Sequence, residues 1–276
     1  MSPIYFLNGK FFPQDQTVIN VKDLSVLRGY GIFDFLRTYH QKPFHLDDHL
    51  DRLFRSAEFI DLEIPWSKKQ IETWVFQTLQ KNNFPESLIR IVVTGGATVD
   101  TMTAVDKPTI LIMVEPATVY PKEIYEKGVK LKTFPIQRTW AEAKTINYIP
   151  AVMIHKKAAK LGFYDGIYLD ENKNILEAAN ANLFFIIDDK LVTPKKKILF
   201  GVTRKVLIDV VRKEFSVTER EVNLKELPQI FECFLTVSSK EIVPVVQIDT
   251  VKIGSGKVGI KTKRIMEIFR NYTAIY

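Results

Sequence analysis

The first third of the chain alternates between strand-like and helix-like hydrophobic patterns. Tyr5 to Leu7 and Phe11-Phe12 flank Asn8-Gly9, a dipeptide that accepts positive φ at both turn positions, so a β-hairpin is predicted there. Gly31 to Tyr39 is rich in β-branched and aromatic residues, which predicts a further strand. Beyond these strands the apolar positions change to helical spacing.

Two amphipathic helices and two more strands follow. The apolar residues of the first helix recur at helical spacing and form one stripe: Leu50, Leu53, Phe54, Ala57 and Ile60, in a helix that begins near Asp47. The second helix is predicted from Ser67 to about Asn82, because Ser67 and Gln70 have the spacing of a capping box. Strands over Leu88 to Thr94 and Thr109 to Glu115 complete an α+β unit.

The remainder of the chain has many short apolar segments and few helices. Strands are predicted at Val129 to Phe134, Gly166 to Asp170, Leu183 to Ile187, Phe231 to Val237 and Val245 to Ile248. Helices are predicted at about Pro150 to Leu161, Val202 to Phe215 and Ile260 to Tyr272. Many short strands are typical of a barrel-like domain. We therefore expect an α+β protein with a small domain over residues 1–115, a proline-containing linker over 116–122 and a larger domain over 123–276.

Composition and charge exclude several classes of protein. The 276 residues carry a net charge of +7, but Lys and Arg are spread along the chain and interleaved with acids, so no nucleic-acid role is expected. The apolar fraction of 46% argues against disorder, and the longest apolar runs are too short to span a membrane. With one cysteine, Cys233, and no N-terminal basic and apolar leader, a cytoplasmic location is expected.

Two histidines are spaced as neighbours on a helix. His45 and His49 are four residues apart, with Asp47 and Asp48 between them and no evident third ligand. This pattern is more typical of a solvated helix start than of a metal site. No metal is therefore expected.

Seven separated segments carry a resemblance to a known family. They are Tyr5-Phe6-Leu7-Asn8-Gly9-Lys10, Gly29-Tyr30-Gly31-Ile32-Phe33-Asp34, His49-Leu50-Asp51-Arg52-Leu53, Lys144-Thr145-Ile146-Asn147, Glu177-Ala178-Ala179-Asn180-Ala181-Asn182-Leu183, Gly201-Val202-Thr203-Arg204 and Ser238-Ser239-Lys240-Glu241-Ile242. In this order and at these separations they resemble the class IV aminotransferases, the pyridoxal-phosphate enzymes of fold type IV. The resemblance covers nearly the whole chain. It implies a small α/β sandwich domain, a larger pseudo-barrel domain, pyridoxal 5'-phosphate as cofactor, amino acid and 2-oxo acid substrates, and a homodimer.

The resemblance assigns residues to the cofactor ring. Lys144 matches the lysine that binds the cofactor covalently and then moves a proton as general base. Glu177 matches the carboxylate that keeps the pyridine nitrogen protonated, so that the ring accepts electrons. Tyr148 and Asn182 are further cofactor-binding residues that the resemblance implies.

A second set is assigned to the cofactor phosphate. Val202 and Thr203 precede a helical stretch, where backbone amides and the positive end of the helix dipole favour an anion. Arg52 matches an arginine of the family that contacts the same phosphate. Ser238 and Ser239 match a hydroxyl-bearing pair that completes the phosphate site.

The substrate α-carboxylate requires a cation, and here the sequence departs from both well-known subfamilies. The strand segment Val93-Thr94-Gly95 lacks the Arg-x-His pair typical of D-amino-acid aminotransferases, and Leu88-Ile89-Arg90 keeps only the arginine of the branched-chain Tyr-x-Arg motif. We therefore expect Arg28 and Arg90 to hold the carboxylate together. The resemblance also places Phe33 at the substrate.

Three reactions of this family remain open. Lys144-Thr145-Ile146-Asn147 and the run from Ile253 to Gly259 are similar to D-amino-acid aminotransferases, so a D-amino-acid transaminase with a ping-pong mechanism ranks first. A branched-chain L-amino-acid aminotransferase ranks second. That branch typically has Gly-Gly-Asn after its lysine, whereas Lys144 is followed by Thr145-Ile146-Asn147. Aminodeoxychorismate lyase, which shares the Lys-Thr-Ile-Asn stretch, ranks third. A binding protein that has lost the chemistry is the non-enzyme alternative.

Overall fold

The computed structural model describes residues 2–104 and 107–276, and the chain divides into two compact units. The first unit contains the chain up to Thr118 together with Ala143–Asn147 and Tyr276. The second contains Val119–Glu142 and Tyr148–Ile275. This division differs from the sequence-based one in assigning residues 143–147 to the first unit, because their backbone pairs with a strand of that unit.

The first unit is built on an antiparallel six-stranded sheet. Its elements are β1 (Ile4–Leu7), β2 (Lys10–Pro13), α1 (Leu24–Arg28), β3 (Gly31–Tyr39), β4 (Lys42–Pro43), α2 (Leu46–Phe59), α3 (Lys68–Gln80), β5 (Ser87–Thr94) and β6 (Thr109–Pro116). The strand order is β2-β1-β6-β5-β3-β4. The predicted hairpin, the three longer strands and both helices are confirmed, including the capping box in which Gln70 donates its backbone N–H to Ser67 Oγ.

The core of the first unit lies between the sheet and the helices α2 and α3. Leu50 and Leu53 on α2, and Ile71 and Val75 on α3, are almost fully buried against the inner residues of β3, β5 and β6. This stripe is the one that helical spacing predicts. It fixes α2 beside β3, and these two elements carry two of the unit's predicted site residues, Arg52 and Phe33.

The second unit is built on a ten-stranded mixed sheet. Its elements are α4 (Glu123–Glu126), β7 (Val129–Phe134), α5 (Ile149–Lys160), β8 (Asp165–Leu169), β9 (Asn174–Ala178), β10 (Asn182–Ile187), β11 (Lys190–Thr193), α6 (Val202–Val211), β12 (Val217–Glu219), β13 (Val222–Asn223), β14 (Glu232–Val237), β15 (Glu241–Ile248), β16 (Val251–Lys252) and α7 (Ile260–Ala274). The main path is β12-β11-β10-β14-β15-β7-β8-β9-β13. The backbone N–H of Ala178 also donates to Ala181 O at 2.8 Å, which brings β9 back beside β10 and curls the sheet.

Several elements of the second unit differ from the pattern-based predictions. The helix predicted to reach Phe215 ends at Val211, and the residues after it form a turn in which the N–H groups of Glu214 and Phe215 both donate to Val211 O. Strand β9 is not evident in the sequence, since Asn174–Ala178 is not enriched in β-branched residues and pairs only in the folded sheet. No helix among the described residues is long and apolar enough to cross a membrane.

Candidate active site

The residues predicted to bind cofactor or substrate lie in both units. Those in the first unit are Arg28, Phe33, Arg52, Arg90 and Lys144. Those in the second unit are Tyr148, Glu177, Asn182, Val202, Thr203, Ser238 and Ser239. Each set has its own local geometry.

The backbone of Lys144 is held by two elements of the first unit. Phe33 on β3 donates its N–H to Lys144 O at 2.9 Å, and Ile146 donates to Gly31 O at 3.0 Å, so the lysine segment forms a short bridge to β3. The N–H of Lys144 donates to Ser56 Oγ on α2 at 3.0 Å. The buried hydroxyl of Ser56 in turn donates to the carbonyl of Arg52 at 2.8 Å. The bridge to β3 and the hydroxyl of Ser56 thus fix the position of the Lys144 backbone.

The amine of Lys144 lies against an aromatic surface. Its Nζ is 4.6 Å from the centroid of the Phe33 ring. Phe33 and Phe35 project from the same face of β3, because they are two residues apart in a strand. The guanidinium carbon of Arg90 lies 4.9 Å from both ring centroids. Lys144 and Arg90 therefore share the Phe33 ring as a neighbour.

Arg28, the second arginine predicted at the substrate carboxylate, has different surroundings from Arg90. It is exposed at the end of α1 and donates to the carbonyl of Leu27 at 2.8 Å and to Thr101 Oγ1 at 3.0 Å. Its Nε is 3.3 Å from Met102 Sδ. A joint role of Arg28 and Arg90 stays a prediction.

Asp34 on β3 forms a buried trio with the side chains of Arg52 and His49. Arg52 donates from Nε to Asp34 Oδ2 at 2.8 Å and from Nη2 to Oδ1 at 2.7 Å. His49 Nδ1 lies 2.6 Å from Asp34 Oδ1, and because a carboxylate only accepts, this nitrogen carries the proton. The prediction that His49 lies at a solvated helix start is wrong: the side chain is 1% exposed, on the buried face of α2.

The ionisation of the trio follows from its burial and charges. Burial alone would raise the pKa of Asp34, but Arg52 and then His49 outweigh it and hold this pKa well below its ordinary value. Burial lowers the pKa of His49, Asp34 opposes this, and the charges of Arg52 and Lys144 lower it further. The trio therefore consists of an ionised carboxylate, a charged arginine and a neutral histidine at pH 7. At least two N–H groups of Arg52 go to Asp34, which fixes the orientation of its guanidinium.

Glu177 on β9 is the buried carboxylate of the second unit, with 4% exposure. Its Oε1 accepts from Arg138 Nη1 at 2.8 Å, and its Oε2 accepts from the N–H of Leu199 at 3.1 Å and from Asn182 Nδ2 at 3.4 Å. Burial alone would lower the pKa of the Arg138 guanidinium, but the negative charge of Glu177 outweighs burial and raises this pKa. Both groups are therefore ionised, and Glu177 is fixed in place.

Arg138, the partner of Glu177, is among the residues around this site that the sequence did not indicate. No local motif marks it, since it lies in a loop between β7 and α5. The available signal was indirect: a carboxylate that stays ionised inside the protein requires a cationic partner. Arg138 also lies against the predicted cofactor residue Tyr148, with its guanidinium carbon 5.8 Å from that ring.

The N-terminus of α6 has the features of an anion site. Val202 and Thr203 are buried in its first turn, where backbone N–H groups have no partner within the helix. Gly201 precedes them, and a Cβ there would lie 2.2 Å from Asn182 Oδ1, so a larger residue would displace the Asn182 side chain. Asn182 itself donates to the carbonyl of Leu199 at 2.7 Å. This hydrogen bond connects the loop before α6 to β10, the strand that follows β9 and its Glu177.

Ser238 and Ser239 occupy the turn between β14 and β15, and Ser239 is buried. The donor set of the second unit fits pyridoxal phosphate chemically. It combines a fixed, ionised carboxylate for a protonated ring nitrogen with a glycine-led helix N-terminus and hydroxyls for a phosphate. The first unit supplies a lysine amine and a second oriented cation, Arg52.

The comparisons with known proteins agree with this geometry. The class IV aminotransferase family matches residues 31–248, so the chain belongs to the class IV aminotransferases, which use pyridoxal phosphate. Its fold is that of fold type IV enzymes. A solved structure of the Escherichia coli branched-chain amino acid aminotransferase has a TM-score of 0.91 and 25% identity, covering 98% of this chain and 94% of that one.

Two curated relatives differ in substrate. The chain is 32% identical to a putative branched-chain-amino-acid aminotransferase of Methanocaldococcus jannaschii, covering 96% of this chain and 95% of the relative. It is 28% identical to the D-alanine aminotransferase of Staphylococcus haemolyticus, covering 97% and 96%. The reaction class is therefore common to its relatives, and the substrate is not.

Proposed function

We propose that this aminotransferase moves the amino group of a branched-chain L-amino acid to a 2-oxo acid in a ping-pong cycle. The observation that carries the proposal is the ring of Phe33 beside Lys144 Nζ, with Arg90 lying against both Phe33 and Phe35. An aliphatic side chain buries well on aromatic rings. The similarity to the M. jannaschii relative supports the same substrate class. It replaces the D-amino acid that the sequence motifs rank first.

The residues have separate roles in this proposal. Bound pyridoxal phosphate supplies an electron sink that stabilises negative charge at the substrate α-carbon. Lys144 binds the cofactor covalently, and its amine then takes and returns the α-proton. Glu177, fixed by Arg138, keeps a proton on the ring nitrogen.

Binding groups complete the site. Val202 and Thr203 bind the phosphate through the α6 N-terminus, with Arg52, Ser238 and Ser239 as further donors.

Arg28 and Arg90 are proposed to hold the substrate α-carboxylate. Replacing either with Ala is expected to raise the KM for both the amino donor and the 2-oxo acid strongly, because a guanidinium that binds a carboxylate contributes about 1.5–3 kcal/mol. Steady-state kinetics test this. Unchanged KM values in both variants would contradict the role.

A D-amino acid donor is the second candidate. The similarity to the S. haemolyticus D-alanine aminotransferase and the Lys144-Thr145-Ile146-Asn147 stretch favour it. Against it stands Val93-Thr94-Gly95, where the Arg-x-His pair of those enzymes is missing.

The deciding experiment is a single-turnover assay that follows the cofactor absorbance. L-leucine, L-isoleucine and L-valine are compared with D-alanine and D-glutamate, each followed by 2-oxoglutarate or pyruvate. The proposal predicts that the L-donors bleach the absorbance and that the 2-oxo acid restores it. Bleaching by the D-donors alone would overturn the substrate assignment and leave the enzyme class intact.

We also infer a cytoplasmic homodimer. Supporting the dimer, Val21, Val26, Val99 and Met102 are highly exposed on two neighbouring segments of the first unit, which are joined where Thr98 donates its N–H to Lys22 O at 3.1 Å. Exposed aliphatic side chains grouped in this way are typical of an interface. Light scattering tests the assembly, and a monomer at micromolar concentration would contradict it.

A further inference from the structure

The turn between β14 and β15 contains the two serines proposed for the cofactor phosphate, and its backbone has an unusual conformation. Residues 238–240 form a three-residue loop between Val237 and Glu241, which pair across the hairpin. The N–H of Lys240 donates to Val237 O at 3.2 Å. Glu241 then has a φ of 60°, in the left-handed region where such loops ordinarily have glycine. A residue with a side chain stays there only when its surroundings hold it.

Three tyrosines from separate segments hold Lys240. Its Nζ lies 5.1 Å from the ring centroid of Tyr120 and 5.1 Å from that of Tyr164. Tyr120 lies in the segment predicted as the linker, and Tyr164 lies just before β8. The hydroxyl of Tyr125 on α4 donates to the carbonyl of Lys240 at 3.2 Å. We call these three residues the tyrosine clamp; it contacts both the side chain and the backbone of Lys240.

The clamp gives Lys240 a defined side-chain position. A lysine in a turn ordinarily extends into water, because fixing its long side chain costs conformational entropy. Lys240 is instead half-buried, and the faces of two aromatic rings attract its positive charge. The buried Asp165 adds a negative charge: burial raises the pKa of its carboxyl, and the charge of Lys240 is among the effects that oppose this rise.

The position of Lys240 determines that of the residues before it. Ser239 is bonded directly to Lys240 and is buried, and Ser238 precedes it in the same three-residue loop. A hydroxyl donates well only over a narrow range of distances and angles, so displacement of the loop would weaken its bonds to a phosphate. Whatever holds Lys240 therefore also orients the two hydroxyls.

We propose that Lys240 is a positioning residue of the cofactor site: held by the tyrosine clamp, it fixes the turn whose two serine hydroxyls bind the cofactor phosphate. The inference rests on the proposed function, because it requires Ser238 and Ser239 to be phosphate ligands. It deepens that function by connecting Tyr120, in the predicted linker, to the phosphate end of the site.

The test is Lys240→Met, which keeps an unbranched side chain and removes the charge. The probe is pyridoxamine 5'-phosphate, which has an amine in place of the aldehyde and so does not bond to Lys144. Its dissociation constant for the full-length cofactor-free protein, measured by isothermal titration calorimetry, is expected to rise about fivefold, because the turn loses its cation–π contacts. Lys240→Arg is expected to stay within about twofold of wild type, because a guanidinium also stacks on aromatic rings.

The opposite side of the contact gives a second route to the same result. Tyr120→Leu removes one ring of the clamp and is expected to raise the dissociation constant about threefold. Tyr120→Phe keeps the ring and is expected to bind the probe as wild type does. The pair separates the aromatic face from the tyrosine hydroxyl.

A double-mutant cycle shows whether Lys240 acts through the serines. Ser238→Ala combined with Ser239→Ala removes both hydroxyls and is expected to weaken probe binding at least about tenfold. In this background Lys240→Met is expected to add less than about twofold, because the groups that it positions are gone. A role independent of the hydroxyls would add the same fivefold in both backgrounds.

The matched control is Lys81→Met in the first unit, where Lys81 Nζ lies 4.7 Å from the ring centroid of Phe11. This variant loses the same type of contact, away from any proposed phosphate ligand. Both lysine variants are expected to melt about 2 °C lower, and only Lys240→Met is expected to bind the probe more weakly.

Four results would overturn the proposal. One is wild-type probe binding by Lys240→Met, and a second is binding by Lys240→Arg as weak as that by Lys240→Met. A third is wild-type binding by the variant without serine hydroxyls, since the turn then holds no phosphate ligand. If wild-type protein fails to bind the probe and fails to become yellow with pyridoxal phosphate, the proposed cofactor site is itself wrong, and the role of Lys240 falls with it.

Discussion

In each unit a buried carboxylate pairs with a buried arginine, and the two pairs are proposed to have opposite roles. In the first unit Asp34 supports Arg52, the member of the pair proposed to meet the cofactor phosphate. In the second unit Arg138 supports Glu177, the member proposed to meet the ring nitrogen. A buried charge needs a partner of opposite sign, and in both units that partner also fixes its orientation. The supporting residue therefore has the charge opposite to that of the residue it holds. An aspartate holds the arginine proposed for the phosphate, and an arginine holds the glutamate proposed for the ring nitrogen.

The largest effect on stability is expected from Asp34→Ala. This change leaves the guanidinium of Arg52 buried without its carboxylate, and breaking a buried pair in this way costs about 3–5 kcal/mol of unfolding free energy. Urea unfolding of the cofactor-free protein measures it. Asp47→Ala, at the first turn of α2, the helix that carries Arg52, is the control and is expected to cost less than about 1 kcal/mol. A cost for Asp34→Ala as small as that of the control would mean that the pair does not stabilise the unit.

Glu177→Gln tests the other pair through catalysis rather than stability. Glutamine keeps the size of the side chain and an oxygen for the N–H of Leu199, but it cannot hold a proton on the ring nitrogen. Turnover is expected to fall about 100- to 1000-fold, in the range typical of a lost electrostatic or acid–base contribution.

The control for this variant is Glu171→Gln, whose side chain is exposed on the same unit and pairs with Lys197. It should turn over like wild type. Turnover of Glu177→Gln within twofold of wild type would remove Glu177 from the chemistry.

Ser56→Ala tests the link between Arg52 and Lys144. Its loss leaves the N–H of Lys144 without its acceptor, so a stability loss of about 1–2 kcal/mol and slower covalent capture of pyridoxal phosphate are expected. Stopped-flow absorbance measures the capture rate. Thr78→Val removes an equivalent hydroxyl-to-carbonyl bond, from Thr78 to Trp74 on α3, and is expected to leave the capture rate unchanged. Equal capture rates in both variants would reduce Ser56 to a packing residue.

The smallest effect is a pH dependence of the unfolding free energy, which arises from His49 beside Asp34 and Arg52. The pKa of His49 is lowered in the folded protein, so below about pH 6.5 the unfolded chain takes up a proton that the folded protein does not. Stability due to this group is therefore complete above that pH and is lost as the pH falls, with a slope of at most about 1.4 kcal/mol per pH unit. His49→Gln is expected to flatten the curve between pH 7 and 5. Parallel curves for variant and wild type would contradict a buried neutral histidine.

The sequence predicts the first unit better than the second. Its helices have an apolar stripe and a capping box, and its strands are separated by clear turns, so local patterns are sufficient. Strand β9 follows β8 closely, but its pairing includes a register shift and its residues lack a strand-like pattern. The partner of Glu177, Arg138, lies 39 residues away, which no local pattern encodes. His49 was misjudged because Asp47 and Asp48 suggested solvent, although His49 lies four residues before the buried Leu53 on the same helical face.

The site followed a similar rule. The family motifs located the ligands proposed to touch the cofactor, whereas Asp34 in its supporting role, Ser56 and Arg138 became visible only from hydrogen bonds and burial. Supporting residues are selected by tertiary geometry, so their positions in the sequence carry little local signal.

The central claim is that Lys144 is the residue that carries the cofactor. The most direct measurement is borohydride reduction of the protein loaded with pyridoxal phosphate, followed by proteolysis and mass spectrometry of the lysine-containing peptides. One stable phosphopyridoxyl adduct is expected, on Lys144, and it should be lost in Lys144→Ala but not in Lys160→Ala, where the replaced lysine is exposed on α5. An adduct on a different lysine, or a colourless protein with no adduct, would contradict the account.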